Sequence, residues 1–128
     1  MKMLTIAIVA TVTLTAPFSA RAQDVPDALS VEWEGKKPCE KLHEDDQIRI
    51  LRCTFPPGTK HIRHQHPANF VYTLSGGKLV VENANGVQPQ QELATDVSLL
   101  SAPVPWHEGT NAGDTTLRFL IVEMKYKK

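Results

Sequence analysis

Three histidines carry the strongest chemical signal in this 128-residue sequence. His64 and His66 are separated by one residue in a predicted β-strand, and His107 follows a Pro-Val-Pro-Trp turn much later in the chain. Because alternate residues of a strand point to the same face, the imidazoles of His64 and His66 project together. Neutral imidazole is a good ligand for transition metals, and a third histidine would complete a site. On its own, the His-x-His pair is equally compatible with a plain surface strand.

The other two histidines are predicted to lie outside this site. His61 comes three residues before His64, so strand alternation places it on the opposite face. His43 lies in a charged segment, where we expect a surface residue.

Short strands are predicted to position the histidines. The chain contains nine prolines and seven glycines, which favour turns over long helices. Apolar residues recur with a period of two in about nine short segments, a pattern typical of an antiparallel sandwich or barrel. Asn85-Gly86 predicts a hairpin. Residues 31–34 are expected to be extended, residues 41–46 to form a charged connector and residues 23–30 to be disordered.

The first 22 residues have the layout of a secretory signal peptide. Lys2 is followed by an apolar and threonine-rich run over residues 4–16, and Ala20-Arg21-Ala22 supplies small residues at a cleavage site. The run is shorter than the roughly 20 residues that a membrane-spanning helix needs. We therefore predict cleavage after Ala22, export to the periplasm or the exterior, and no membrane attachment afterwards.

Composition and cysteine content narrow the remaining classes. The 14 basic and 14 acidic residues balance, which gives no electrostatic reason to expect nucleic acid as a partner. Cys39 and Cys53 are an even pair, and in an oxidising compartment such pairs form disulfides. A bridge would close a loop of about 15 residues. Two free thiols, or a redox or metal-binding pair, are the alternatives, although the spacing is not Cys-x-x-Cys.

Two sets of residues resemble the two sequence motifs of the cupin superfamily. The first set is Gly58, His64, His66 and residues 72–76, and the second is Pro103, His107 and Asn111. The likeness to small secreted single-domain cupins extends over residues 32–40, 72–78 and 111–116. The resemblance implies that residues 31–128 form one all-β domain, an antiparallel double-sheet jelly-roll (cupin) barrel. It also implies one metal ion in the barrel mouth, held by His64, His66 and His107.

The sequence departs from the cupin motif at the usual fourth ligand. Cupins commonly carry a glutamate three or four residues after the second histidine, and no acidic residue stands there. Glu108 is expected to face away from the site, and Glu123 is too far along the chain to be placed. Asn69 or water is therefore the candidate fourth ligand. Tyr72 and Trp106 are candidates for the pocket wall.

The resemblance suggests an enzyme class. A three-histidine set is similar to that of cupin dioxygenases that act on thiols, diketones or aromatic rings with Fe(II). It implies a mononuclear metalloenzyme acting on a small organic substrate, with iron favoured and Cu, Zn, Ni or Mn as alternatives. Loss of the carboxylate makes the site one charge more positive, which favours anionic, chelating substrates.

Other cupin functions stay open from the sequence. The alternatives are a non-catalytic protein that binds a metal or a carbohydrate-like ligand, and a cupin isomerase or lyase. Fold alone does not choose among these functions. A homodimer that covers edge strands is a further expectation.

Overall fold

The structure is a computed structural model and describes residues 24–125; the predicted signal peptide lies outside the described residues. Regular structure in this range consists of β-strands. The strands are β1 (Cys39–Glu44), β2 (Ile48–Phe55), β3 (Lys60–His66), β4 (Asn69–Ser75), β5 (Gly77–Asn83), β6 (Gly86–Val87), β7 (Gln91–Leu93), β8 (Ser98–Ser101), β9 (Val104–Asn111) and β10 (Leu117–Met124). Within residues 24–125, no helix is long and apolar enough to cross a membrane.

The strands form two antiparallel sheets. One has the order β1-β2-β10-β4-β8, and the other has the order β3-β9-β5-β6, with β7 also paired to β5. This confirms the predicted all-β, double-sheet fold, although the two sheets do not close into a continuous barrel. The predicted hairpin is also present, because Asn83 pairs with Gly86 across the turn between β5 and β6.

Strand β10 supplies the centre of the core. Leu117, Phe119 and Ile121 alternate on its inner face and are buried. The neighbouring strand β2 places Cys53 opposite Phe119 and Leu51 opposite Ile121. Leu51 and Cys53 have no exposed surface. The same inner face continues to Glu123, which is also fully buried, so an acidic residue ends the apolar row.

A disulfide joins Cys39 and Cys53, as predicted. The two residues are direct partners across β1 and β2, so the bridge fixes the edge strand to its neighbour. The alternatives of free thiols or a metal-binding pair are thereby excluded.

Two secondary-structure predictions were wrong. Residues 41–46 were expected to form a connector, but β1 extends through Glu44. As an edge strand with one buried residue, Cys39, β1 has no apolar alternation to reveal it. Residues 31–34 were expected to be extended, but Trp33 bonds to Lys36 across a turn in which Glu34 and Gly35 both have positive φ.

The start of the described chain is ordered, in contrast to the disorder expected for residues 23–30. We call residues 24–31 the N-terminal arm. Asp27 forms a β-bridge with Gln65 of β3, and the backbone N–H of Gln65 donates to the Pro26 carbonyl at 2.9 Å. Ala28 is only 1% exposed. Polar, proline-containing sequence hid this docking, because the contacts are made by backbone groups, by the small side chain of Ala28 and by an ion pair of Asp27 with Arg49, 22 residues away.

Candidate metal centre

The three predicted ligands meet at one point between the sheets. His64 Nε2 lies 3.0 Å from His66 Nε2 and 2.9 Å from His107 Nε2. One ligand atom from each histidine lies within 4.8 Å of the other two. His64 and His66 are buried, and His107 is partly buried. The two parts of the sequence that carry the cupin-like motifs therefore come together.

Two irregularities in the pairing of β3 with β9 set the directions of the histidine side chains. His64 is the direct partner of His107, whereas His61 pairs with Gly109 and His66 with Val104. One extra residue is therefore accommodated in β3 before His64, and another in β9 next to His66. Such bulges turn side chains away from strict alternation and are frequent beside functional sites.

Buried Glu123 orients His66. The Nδ1–H of His66 donates to Glu123 Oε1 at 2.6 Å. On its other side, Glu123 accepts from Arg49 Nε at 2.6 Å, and Arg49 also bonds to Asp27 of the N-terminal arm. The arrangement is the carboxylate–histidine pairing that commonly fixes the ring of a metal ligand. The order of contacts is thus arm, Arg49, Glu123, His66.

The hydrogen bonds of His64 and His66 leave their Nε2 atoms without protons. The Nδ1 of His64 lies 2.7 Å from the Ile62 carbonyl oxygen, which can only accept, so this Nδ1 carries the proton. The Nδ1 of His66 is protonated toward Glu123 in the same way. In the neutral rings, two Nε2 lone pairs therefore face each other at 3.0 Å. A cation between them would convert this repulsion into attraction.

The nitrogen spacing also fits a transition metal. Ligands at right angles around an ion, with bonds of about 2.1 Å, are separated by about 3.0 Å. The two short Nε2–Nε2 distances, 3.0 and 2.9 Å, match this value. The residues present therefore suit one divalent ion bound by neutral imidazoles; they do not identify which ion it is.

The electrostatic surroundings keep the imidazoles of His64 and His107 neutral. Burial, together with the nearby rings of His61 and His107, lowers the pKa of His64 to about 2. Burial likewise lowers the pKa of His107 to about 4. A neutral ring is the form that binds a metal, because the lone pair is free.

The prediction for His61 was wrong. It was expected to face away from His64, but its ring stacks on that of His64 at a centroid distance of 3.6 Å. The bulge between the two residues restores them to one face. His61 Nε2 lies 2.9 Å from the Ala28 carbonyl oxygen and donates to it. His61 therefore supports a ligand ring and is itself held by the N-terminal arm.

A cavity of about 490 Å³ opens beside the three histidines. Of the predicted neighbours, Asn69 lines this cavity, although its Nδ2 donates to the Pro67 carbonyl at 2.9 Å. Tyr72 and Trp106 are not part of the lining. The Tyr72 hydroxyl donates to Asp96, and the Trp106 ring lies under Arg63, so both contact neighbouring surface residues instead.

Glu123 is the site residue that sequence reasoning did not place. Its signal was its position in β10, two residues beyond Ile121 and in phase with the buried row of Leu117 and Phe119. An acidic residue in phase with a buried apolar face requires a partner, because an unpaired buried charge is costly. The identity of that partner, His66, depends on a contact 57 residues away in sequence.

Comparison with known proteins gives structural but not sequence-level relatives. No family model and no curated protein matches the chain. A cupin domain from Bordetella pertussis Tohama I superposes with a TM-score of 0.63 and 24% identity, covering 69% of this chain and 92% of that one. An RmlC-like cupin family protein with a double-stranded β-helix fold from Methanocaldococcus jannaschii gives a TM-score of 0.57 at 15% identity, covering 67% and 77%.

A third structure has the same architecture. An uncharacterized conserved protein with a double-stranded β-helix domain from Klebsiella pneumoniae gives a TM-score of 0.56 at 19% identity, covering 67% of this chain and 74% of that one. At these identities the comparisons establish the fold, and functional inference depends on the residues of this chain.

Proposed function

This chain has the double-stranded β-helix fold of the cupins, and we propose that it binds one divalent transition-metal ion through His64, His66 and His107. We further propose that it is a mononuclear metalloenzyme, dioxygenase-like, acting on a small organic substrate. Iron is the ion that we favour for this chemistry.

The observation that carries the proposal is the pair of facing Nε2 atoms of His64 and His66. In both rings the Nδ1–H donates to an acceptor outside the cluster, so the lone pairs of the two Nε2 atoms face each other at 3.0 Å. A hydrogen-bonded structural cluster would place a donor between the two nitrogens. Two facing lone pairs, with His107 Nε2 a further 2.9 Å from His64 Nε2, are instead what a metal site needs.

The chain's own residues prepare the site for the ion and the substrate. Glu123 holds His66 in one tautomer and adds negative charge behind its ring, which makes the Nε2 lone pair a stronger metal ligand. The Ile62 carbonyl does the same for His64 without a charge. When bound, a redox-active ion would supply coordination positions for substrate and O₂. The cavity beside it is mostly apolar and has no charged residue in its lining.

The cavity lining favours oxygenase chemistry over an isomerase or lyase. Within residues 24–125, histidine is the one titratable residue type that lines the cavity. Apart from the three proposed ligands this leaves His61, whose Nε2 is engaged with the Ala28 carbonyl. Isomerases and lyases require a positioned general acid or base to move protons. Oxygen chemistry at a metal places no such demand on the wall.

Anaerobic iron loading followed by O₂ measurement tests the enzymatic part. The protein is loaded with one equivalent of Fe(II), and O₂ uptake is followed with β-diketones, small thiols and catechols as candidate substrates. We expect uptake with at least one class, and its loss in His107→Ala. The Glu108→Gln variant is the control, because Glu108 lies outside the cavity lining and pairs with Lys60.

The non-catalytic alternative gives a different result in the same assay. Stoichiometric metal binding without O₂ uptake for any substrate class would contradict the dioxygenase and favour a protein that binds a metal or a carbohydrate-like ligand. Protein isolated with zinc or copper would point in the same direction.

We also propose that the chain is exported and that residues 1–22 are removed. The disulfide between Cys39 and Cys53 supports this proposal, because such bonds persist mainly in oxidising compartments. A homodimer remains a prediction. Its support is that β8 is an edge strand with exposed Leu99 and Leu100, and the mass in solution would test it.

A further inference from the structure

We propose that the cavity selects ligands with a metal-chelating head and an uncharged, apolar body. This inference rests on the proposed metal site and adds the chemical class of the ligand. It narrows the expectation of anionic substrates, because it confines any charge to the atoms that bind the ion.

Neutral polar residues line the cavity, and two of them lie close to the histidines in strand register. Asn83 of β5 is the direct partner of His107, and Asn69 of β4 is the direct partner of Ser101. Asn69 is also paired with Glu123, whose carboxylate holds His66. Asn69, Asn83 and Ser101 line the cavity, and each is a neutral hydrogen-bonding residue suited to the oxygen atoms of a chelating head.

On β5 and β10 the cavity wall becomes apolar with distance from the ligands, whereas Thr73 and Asn111 add neutral polar groups from β4 and β9. On β5, going away from the histidines, the wall residues are Asn83, then Val81, then Leu79. On β10, the inner face runs from Glu123 to Ile121 and then to Phe119. The wall beyond the histidines is therefore mostly apolar and carries no charge, which suits an apolar ligand body.

Charged side chains are absent from this wall. Among residues 24–125, no Asp, Glu, Lys or Arg lines the cavity. Glu123 and Arg49 lie behind the His66 ring and are paired with each other. A charged group on the ligand body would therefore lose water without gaining a partner, which carries a large free-energy penalty. Sugar phosphates and di- or tricarboxylates fit such a wall poorly.

The cavity has an entrance at the edge of one sheet. Its lining includes Val97 and Leu99 near and within edge strand β8, and these are 43% and 64% exposed. Exposed Ser98 and Gln91 also line the cavity, so the entrance is uncharged and partly apolar, in agreement with an uncharged ligand body.

Gly109 offers a means of testing the wall without changing a metal ligand. It lines the cavity on β9, two residues after His107 and directly opposite Val81. A Cβ added there would meet only Leu79 Cδ1, at 3.6 Å, which is an ordinary contact. Gly109→Ala should therefore fold, bind metal and occupy space that a ligand body needs.

The test uses three hydroxamates on Co(II)-loaded protein, with binding followed by the visible absorption of the ion. Acetohydroxamate supplies the head alone, benzohydroxamate adds an apolar body, and 4-carboxybenzohydroxamate adds a charge to that body. We expect benzohydroxamate to bind roughly tenfold more tightly than acetohydroxamate, because its ring is buried. The carboxylated probe should bind at least roughly tenfold more weakly than benzohydroxamate.

Variants separate the wall from the metal. Gly109→Ala should weaken benzohydroxamate by roughly threefold or more through crowding, and should leave acetohydroxamate unchanged. The matched control is Thr110→Ala, because Thr110 is the next residue of β9 and is not part of the lining. It should change neither affinity.

The outcomes distinguish this inference from the proposed function. A Co(II) spectrum that develops normally, combined with equal or tighter binding of the carboxylated probe, would overturn the inference alone. Equal affinity for acetohydroxamate and benzohydroxamate would do the same. Failure to form a protein-bound Co(II) spectrum would contradict the metal site itself, and the inference with it.

Discussion

Glu123 shows how a single buried residue can determine what a site does. It is fully buried at the end of an apolar row, where a charge is costly unless it is paired. It has two partners, the cation of Arg49 and the ring of His66. The first partner offsets the cost of burial, and the second fixes the tautomer that leaves Nε2 free for a metal. A purely structural role would require only the first partner.

The contribution of Glu123 can be measured with Glu123→Gln. This variant keeps the shape but removes the charge behind His66, so we expect the affinity for Co(II) or Zn(II) to fall by roughly 10–100-fold. Competition with a chromophoric chelator gives the affinity. Glu108→Gln makes the same chemical change at a carboxylate that pairs with Lys60 outside the cavity lining, and should leave the affinity unaltered. Equal losses in both variants would exclude a specific role for Glu123.

The buried histidines also predict how stability depends on pH in metal-free protein. Burial lowers the pKa of His61 and His107 from 6.5 to about 4, and that of His64 to about 2. The unfolded chain therefore binds more protons below pH 6.5 than the folded chain does. Because these folded-state pKa values are depressed, the stabilisation is complete above pH 6.5 and is lost as the pH falls toward 4.

Urea unfolding of the metal-free protein at pH 7.5, 6, 5 and 4.5 tests this prediction. The midpoint should drop steadily below pH 6.5, and it should drop less in His61→Phe, which removes one of the titrating groups. His43→Gln should keep the wild-type slope, because His43 is exposed. A midpoint that stays constant from pH 7.5 to 4.5 would show that the histidines are not buried in neutral form.

At the scale of elements, the irregularities in β3 and β9 explain which parts of the site could be predicted. Alternation predicted that His64 and His66 lie on one face of β3, and the cupin-like motifs predicted that His107 lies close to them. The position of His61 did not, because a bulge adds a residue that is invisible to a period-two pattern. Alternation and the cupin-like motifs therefore predicted the three proposed ligands, and long-range pairing was needed to place the residues that support them.

The fold was predictable to a similar degree. Alternation in β10 and the Asn-Gly hairpin signal gave correct elements. Strand β1 was missed because all of its residues after Cys39 are exposed, and the N-terminal arm was missed because its docking relies on backbone groups. Both features are held in place by partners far away in sequence.

The disulfide gives a prediction about strand β1. Replacing both Cys39 and Cys53 with alanine should lower the free energy of unfolding by about 3 kcal/mol, because the crosslink restricts the unfolded chain. Metal affinity should be retained, since neither residue is part of the cavity lining. Denaturant unfolding with and without reductant provides the measurement. Reductant should destabilise the wild-type protein and leave the double variant unaffected; no effect on either would contradict the assignment.

At the scale of the whole molecule, the histidine cluster lies beside a cavity whose lining includes exposed residues of edge strand β8. The N-terminal arm contacts both supports of the histidine cluster, because Asp27 bonds to Arg49 and the Ala28 carbonyl accepts from His61. Residues shortly after the proposed cleavage point are thus connected to the histidine cluster.

Expression with the native leader in a bacterial host tests the proposed export. Mass spectrometry of periplasmic protein should find a chain that begins at Gln23, with its two cysteines oxidised. Full-length chain confined to the cytoplasm, with both thiols reduced, would contradict the proposal. A leaderless form beginning at Gln23 and oxidised in vitro is the control for folding.

The metal content of purified single variants tests the central claim most directly. Elemental analysis of the wild-type protein should give about one transition-metal ion per chain. His64→Ala, His66→Ala and His107→Ala should each lose most of it, while His43→Ala should retain it in full. Circular dichroism and size-exclusion chromatography establish that each variant is folded. Wild-type protein that stays metal-free when offered Fe, Co, Cu or Zn, or equal loss of metal in His43→Ala, would contradict a metal centre at these three histidines.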